Sequence, residues 1–138
     1  MKKVMFLCTA NSCRSQMAEG LAKEICKDIV EVYSAGFMST GIHRKVIEVM
    51  KEIGIDISEQ KSKTVDEYLI REMDFVVTLS KNAENLCPMI PPEIKRVHWP
   101  IKDPVGTLGT EEEIMNEFRR ARDEIKERVQ KLKEELFS

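Results

Sequence analysis

A cysteine, an arginine and a serine lie close together near the start of the chain, at Cys8, Arg14 and Ser15. This spacing lets a short loop bring a thiolate and a planar guanidinium fork around one tetrahedral anion. Because the Ser15 hydroxyl can donate a hydrogen bond to the sulfur, it stabilises the thiolate and makes it a better leaving group. These residue types predict nucleophilic attack by Cys8 on a bound phosphate or arsenate.

The sequence on either side predicts the elements that position these groups. Residues 4–7 form an uncharged apolar run, which indicates a buried strand ending at Cys8. Apolar residues then recur at helical spacing, at Met17, Ala18, Leu21, Ala22, Ile25 and Ile29. A loop that opens a helix presents backbone N–H groups and the positive end of the helix dipole, which favour an anion and a thiolate. The predicted oxyanion-binding loop is therefore Thr9, Ala10, Asn11, Ser12, Cys13 and Arg14.

Composition restricts the class of protein. The 138 residues carry a net charge of −2, with acidic and basic residues interspersed, so no nucleic-acid or membrane partner is predicted. No apolar run of the sequence reaches transmembrane length, and the start Met-Lys-Lys-Val predicts a short strand rather than a signal peptide. The four cysteines favour a reducing, cytoplasmic location. Since His43 and His98 lack partners at metal-ligand spacing, no metal site is predicted. The length suits one domain over residues 1–138.

Strands and helices alternate along the rest of the chain. Further strands are predicted at residues 31–35, 74–79 and 94–99, and helices at 43–53 and 111–136, the latter with Thr110 as its candidate N-cap. A short helix is predicted from the candidate N-cap Thr64 through residues 68–73, with Asp66 and Glu67 in its first turn. Such alternation predicts a parallel sheet that binds ligands at the carboxyl ends of its strands. Cys8, Ser80 and Asp103 each follow a strand, so we expect them at the same edge.

Asp103 precedes a proline in a loop that also contains Gly106 and Gly109. An aspartate in such a loop is usually a turn former. The functional alternative is a general acid, which protonates the departing oxygen and then acts as a base toward the attacking water.

The other cysteines have different settings. Cys13 lies inside the predicted loop, where it either packs or forms a reversible disulfide with Cys8. Cys87 precedes a proline in a loop and is expected to be more exposed than a core cysteine. Cys26 lies on the apolar face of the first helix and is expected in the core.

The segment CTANSCRSQMAEG, residues 8–20, resembles the phosphate loop of the low-molecular-weight protein tyrosine phosphatases. Within that family it most resembles the thioredoxin-coupled arsenate reductases. Three more segments match in the same order, VYSAG at 32–36, DFVVTL at 74–79 and CPMIPPEIKRVHWPIKDPVG at 87–106. The resemblance implies a flavodoxin-like α/β fold, with a four-stranded parallel sheet of order 2-1-3-4 and helices on both faces. It also favours Asp103 as the acid, because its Asp-Pro pair matches the acid loop of the family.

The resemblance to the reductases also implies a thiol relay. In those enzymes one cysteine forms a covalent sulfur–arsenic adduct, a second cysteine after strand three attacks its sulfur, and a third presents the disulfide to thioredoxin. Cys8 matches the first and Cys87 the third, but Ser80 occupies the place of the second and cannot enter a disulfide. The remaining routes are a Cys8–Cys87 or a Cys8–Cys13 disulfide, so these three cysteines are the candidate redox residues.

Three functions are compatible with an anion loop of this kind. The first is an arsenate reductase-like enzyme with thioredoxin or a similar reductant as its partner. The second is a phosphatase that hydrolyses phosphate monoesters through a phosphocysteine and needs only Cys8, Arg14 and Asp103. Family phosphatases usually have tyrosines after the Asp-Pro pair, whereas residues 105–108 here are VGTL, which favours a small inorganic substrate. The third, a non-catalytic oxyanion-binding module, is disfavoured because both the nucleophile and the acid are present.

Asn11, Glu19 and Ser34 match positions that hold a potassium ion beneath the loop in some of these reductases. The fourth ligand there is an aspartate, and Lys63 falls in its place. The resemblance therefore predicts that the Lys63 ammonium replaces the cation by pairing with Glu19, so that no cofactor is required. The alternative is a solvated loop lysine.

Overall fold

The computed structural model describes residues 1–87 and 90–137. In this part of the chain the elements are β1 (Lys2–Cys8), α1 (Arg14–Ile25), β2 (Val30–Gly36), α2 (Arg44–Glu52), α3 (Glu67–Ile70), β3 (Phe75–Thr78), α4 (Lys81–Leu86), β4 (Lys95–His98) and α5 (Glu111–Phe137). All neighbouring strands are parallel, in the order β2-β1-β3-β4. The predicted fold and strand order are confirmed.

Strand β1 lies in the interior of the sheet and is covered on both faces, which explains its unbroken apolar run. Val4 and Phe6 pack into the larger core, which contains residues of α1, α2 and α5. Met5 and Leu7 face a smaller core with residues of α3 and α4. The carboxyl end of β1, where Cys8 lies, is therefore held between two packed layers.

Helix α5 covers the larger core with an apolar stripe of period three to four residues. The residues of the stripe that are almost fully buried are Phe118, Ala121, Ile125, Val129 and Leu132. The predicted N-cap is confirmed, since the Thr110 hydroxyl accepts a hydrogen bond from the N–H of Glu113 at 3.1 Å. Among the residues described, no helix is both long and apolar enough to cross a membrane.

Two predicted helix boundaries were wrong. Ile29 lies outside α1, which ends at Ile25, and Asp28 beyond it adopts a left-handed φ of 67°. Helix α3 ends at Ile70 and is capped by Asp66, whose carboxylate accepts hydrogen bonds from two backbone N–H groups of its first turn. Thr64 instead bridges to Gly36 beside the sheet. The expectation for Cys26 is confirmed, because it is 1% exposed in the larger core.

Candidate active site

The loop between β1 and α1 is anchored by its own carbonyl groups. Thr9 accepts hydrogen bonds from the N–H groups of Phe37 and Met38, at 2.9 and 3.2 Å. Ser12 accepts from the N–H of His43 at 2.9 Å. These carbonyls face the segment after β2, an orientation that leaves the N–H groups of the loop available to an anion.

Asn11 fixes the shape of this loop. It is fully buried and has a left-handed φ of 49°, which asparagine tolerates better than most residues. Its amide oxygen accepts hydrogen bonds from the Lys63 N–H at 2.8 Å and from the Gln16 side chain at 3.0 Å. A Cβ on Gly36 would lie 2.6 Å from the Asn11 nitrogen, so only glycine allows β2 to approach so closely. Gln16 was not singled out from the sequence, although a polar residue among the buried positions of α1 was a usable signal.

The direction of the hydrogen bond at the nucleophile follows from Asn11. The Asn11 side-chain nitrogen lies 2.8 Å from the Ser15 oxygen, and the same oxygen lies 2.8 Å from the Cys8 sulfur. An amide nitrogen only donates, so the Ser15 oxygen accepts from Asn11 and its own proton is left for the sulfur. This chain of donors stabilises negative charge on Cys8, which is 3% exposed.

Arg14 opens α1 and is held against the following loops. Its Nη1 donates to the carbonyl of Ile101 at 2.8 Å, and its Nη2 lies 3.4 Å from an Asp103 carboxylate oxygen. Its Nε is buried and has no hydrogen-bond partner within residues 1–87 and 90–137. Leaving such a donor unpaired is costly, and an oxyanion in the loop would satisfy it.

The expected edge of the sheet carries a cavity of about 510 Å³. Its lining includes Cys8, Arg14, Ser80 and Asp103. The Asp103 side chain is 46% exposed, and its second oxygen accepts a hydrogen bond from the Val105 N–H at 3.0 Å. Asp103 is therefore a turn former, while its other oxygen faces Arg14, so the two alternatives for this residue are compatible.

The sequence model of the low molecular weight phosphotyrosine protein phosphatase family matches residues 3–138. This chain belongs to that family. The arsenate reductase of Halalkalibacterium halodurans is 51% identical over 128 residues, which cover 93% of this chain and 92% of that protein. An arsenate reductase solved in its phosphate-binding state is 37% identical, with a TM-score of 0.81 and 99% of each chain covered.

A more distant solved structure is the thioredoxin-dependent arsenate reductase of Corynebacterium glutamicum, 30% identical with a TM-score of 0.70. The match covers 94% of this chain and 62% of that one. The family and the names of these relatives identify the protein as an enzyme.

Ser80, which the resemblance places where the reductases have their second relay cysteine, is the N-cap of α4. Its oxygen accepts a hydrogen bond from the Ala83 N–H at 3.0 Å and lies 3.2 Å from the Thr9 hydroxyl. The side chain is 5% exposed and lines the cavity that contains Cys8. The serine therefore stabilises α4 at a point from which a cysteine would face the nucleophile.

The two other candidate redox cysteines of this family member lie in different places. Cys13 lines the same cavity as Cys8 and is 4% exposed. Burial raises the pKa of Cys13, and the neighbouring charges of Asp103 and Cys8 raise it further. Cys87 is the C-cap of α4, half-buried against the smaller core, and burial raises its pKa as well. All four cysteines are free thiols.

The side chains of Asn11, Glu19, Ser34 and Lys63, which the resemblance placed at a potassium site, contact one another beneath the loop. Lys63 Nζ lies 3.6 Å from a carboxylate oxygen of Glu19, which is 5% exposed and also pairs with Lys23 at 2.5 Å. The Ser34 hydroxyl donates to Glu19 and accepts from the Asn11 amide. Two ammonium groups, those of Lys23 and Lys63, therefore lie beside the Glu19 carboxylate. The predicted contact between Lys63 and Glu19 is present, and Lys63 also donates to the Lys61 carbonyl.

Proposed function

We propose that this protein is an arsenate reductase-like enzyme that reduces arsenate to arsenite. The observation that carries the proposal is the donor chain from Asn11 through Ser15 to Cys8, in a loop beside the unpaired Nε of Arg14. This arrangement activates a sulfur nucleophile next to an anion site. The high identity to arsenate reductases over nearly the whole chain supports arsenate as the substrate.

In the first step the loop N–H groups and Arg14 bind arsenate, and the Cys8 sulfur attacks arsenic. The S–As bond forms, one As–O bond breaks, and the departing hydroxyl leaves as water after Asp103 gives it a proton. A second thiolate then attacks the Cys8 sulfur. The S–S bond forms, and the electron pair of the S–As bond stays on arsenic, which is reduced from As(V) to As(III) and leaves as arsenite.

The second thiol comes from Cys13 or Cys87, since Ser80 has no sulfur. Cys13 shares the cavity with Cys8, but its raised pKa keeps it a weakly nucleophilic thiol. Cys87 lies seven residues beyond Ser80, and a fully extended segment of that length reaches at most about 25 Å. The length of the chain therefore allows Cys87 to approach Cys8 if this segment moves. Because Cys13 is weakly nucleophilic and Cys87 must move to reach Cys8, we infer that the reduction of arsenate is slow. Thioredoxin or a similar dithiol reductant returns the disulfide to two thiols.

The second candidate is a phosphatase acting on phosphate monoesters. It is favoured by Ser80 and by the position of Asp103 across from Arg14, because this reaction needs a nucleophile, a fork and an acid but no second thiol. Cys8 would attack phosphorus, Asp103 would protonate the leaving group, and water would then hydrolyse the phosphocysteine.

We propose that the Lys63 ammonium neutralises Glu19 in place of potassium, so that neither reaction requires a cofactor. We propose the cytoplasm as the location, because thiols with a redox role suit a reducing compartment.

One set of assays on the purified protein tests these proposals. Thioredoxin-coupled arsenate reduction and p-nitrophenyl phosphate hydrolysis are measured on the wild type and on Cys8→Ser. We expect both activities in the wild type, with slow reduction, and neither in the variant. Full turnover by Cys8→Ser would reject the mechanism, and hydrolysis without any arsenate reduction would leave the phosphatase as the function.

A further inference from the structure

Two consecutive carbonyl groups lead into Asp103, and each accepts a hydrogen bond from a different arginine. The carbonyl of Ile101 accepts from Arg14 at 2.8 Å. The next carbonyl, of Lys102, accepts from Nη2 of Arg120 at 3.0 Å. Residues 99–110 form neither helix nor strand, so these contacts bear directly on where the backbone of Asp103 lies.

Arg120 is itself firmly held on α5. Its Nε donates to Glu117 at 2.9 Å and its Nη1 to Glu124 at 3.0 Å, about one helical turn on either side. All three guanidinium nitrogens are thus engaged, and the side chain is 33% exposed. Because α5 packs on the larger core through its apolar stripe, Arg120 connects a rigid element to an irregular loop.

Arg14 and Arg120 differ in whether they belong to the anion site. Arg14 belongs to the anion site, and its fork must also bind the oxyanion. Arg120 is not among the residues that line the cavity, and in the loop before Asp103 it donates to the Lys102 carbonyl. Its charge acts on the loop only weakly: it opposes the rise in the pKa of Cys13, but it is the smallest of the causes of that shift, and Glu117 and Glu124 pair with it. Its effect on the position of the loop is direct.

We propose that Arg120 is a positioning residue for Asp103, holding the general acid at the distance at which it protonates the leaving group. This inference rests on the proposed acid role of Asp103. Loss of the hydrogen bond to Lys102 lets the loop drift and weakens protonation of the leaving group. Anion binding by the loop after β1 is expected to change little, because Arg120 acts on that loop only through a weak charge effect.

The test is the dependence of kcat/KM on the leaving group. Phenyl phosphate needs an acid, whereas 2,4-dinitrophenyl phosphate has a leaving group that departs readily without one. We expect Arg120→Gln to lower kcat/KM for phenyl phosphate about tenfold, the cost of a small misplacement of a catalytic group, and to leave the dinitrophenyl ester within about twofold. The inhibition constant of inorganic phosphate is expected to stay unchanged.

Matched variants separate positioning from a general loss of stability. Arg119→Gln removes the neighbouring arginine of α5, which pairs with Glu52 of α2, and is expected to leave the ratio of the two substrates unchanged. Arg120→Lys keeps one donor and is expected to recover part of the loss. In Arg120→Gln combined with Asp103→Asn, the effects on phenyl phosphate should not add, because Arg120 acts through Asp103.

Two results would overturn the inference, and they are distinguishable. If Asp103→Asn changes the substrate ratio but Arg120→Gln does not, Arg120 has no positioning role and the acid proposal stands. If Asp103→Asn leaves the ratio unchanged, Asp103 is not the acid and the inference falls with it.

Discussion

Replacing Ser80 by cysteine tests the reductase mechanism most directly. The Ser80 side chain lines the cavity that contains Cys8 and lies 3.2 Å from Thr9, the residue after the nucleophile. A thiol introduced there lies in the same cavity as Cys8, and it attacks the Cys8 sulfur without the chain movement that Cys87 needs. We expect thioredoxin-coupled arsenate turnover to rise about tenfold or more, a barrier change of about 1.4 kcal/mol. Phosphate-ester hydrolysis should stay about the same.

The same substitution has a separate effect on stability. The Ser80 hydroxyl caps α4 through the Ala83 N–H at 3.0 Å, and a thiol is a weak acceptor. Loss of an N-cap costs about 1 kcal/mol, which lowers the melting temperature of a domain of this size by about 4 °C. Ser80→Ala is the matched control, because it loses the same cap without gaining a thiol. It should show the lower melting temperature and no gain in arsenate reduction.

The assay follows arsenate-dependent oxidation in the thioredoxin system, with mass spectrometry of the oxidised protein. In Ser80→Cys the introduced cysteine should be found in a disulfide with Cys87. Unchanged reduction in Ser80→Cys, with its cap loss visible in the melting curve, would refute the reasoning. The similarity to the reductases would then be architectural, and the phosphatase would be the preferred function.

Three further results are expected. Asp103→Asn should slow phenyl phosphate cleavage roughly 10²- to 10⁴-fold, and an unchanged rate would remove Asp103 from the mechanism. Replacing sodium by potassium should change neither the activity nor the melting temperature of the wild type. In Lys63→Asp, which places a carboxylate near Glu19, potassium should raise both. A large effect of potassium on the wild type would contradict the proposed role of Lys63. Hydrogen bonds from Arg119 lower the pKa of Glu52, so their stabilisation is present above the unfolded-state pKa and is lost as the pH falls through the folded-state value. Glu52→Gln should therefore lower the free energy of unfolding, measured in urea, by up to about 1 kcal/mol at pH 7, the size expected for an ion pair at the surface. The loss should be smaller near pH 3, and an equal loss at both pH values would exclude the linkage.

The elements that the sequence predicted well are those whose pattern reflects local burial. The unbroken apolar run of residues 4–7 marks a strand covered on both faces, and the long stripe of α5 marks a helix on the core. Helix ends were predicted less well, because Thr64 and Asp66 are both good N-caps and only the pairing of Thr64 with Gly36 decides between them. The order of the strands came from the family resemblance, since spacing alone does not determine it.

Some features of the candidate site could also be predicted from the sequence, and others could not. The spacing of Cys8, Arg14 and Ser15 was enough to predict an anion loop and its nucleophile. The direction of the Ser15 hydrogen bond was not accessible, because it depends on the orientation of the Asn11 amide. Arg120 gave no signal in the sequence, since a charged residue on the polar side of a long helix is ordinary, and its role appears only when the loop before Asp103 is seen against α5.

The burial of Asn11 at the meeting point of several segments has a consequence for folding. Its side chain joins Ser15 of α1, Ser34 of β2 and the backbone of Lys63, which are far apart in sequence. The donors that stabilise the sulfur therefore come together only when these segments have docked. Local opening at the chain ends leaves them in place, whereas global unfolding removes them all at once. The hydrogen bonds that stabilise negative charge on Cys8 are thus a property of the folded protein, and a nascent or unfolded chain lacks them.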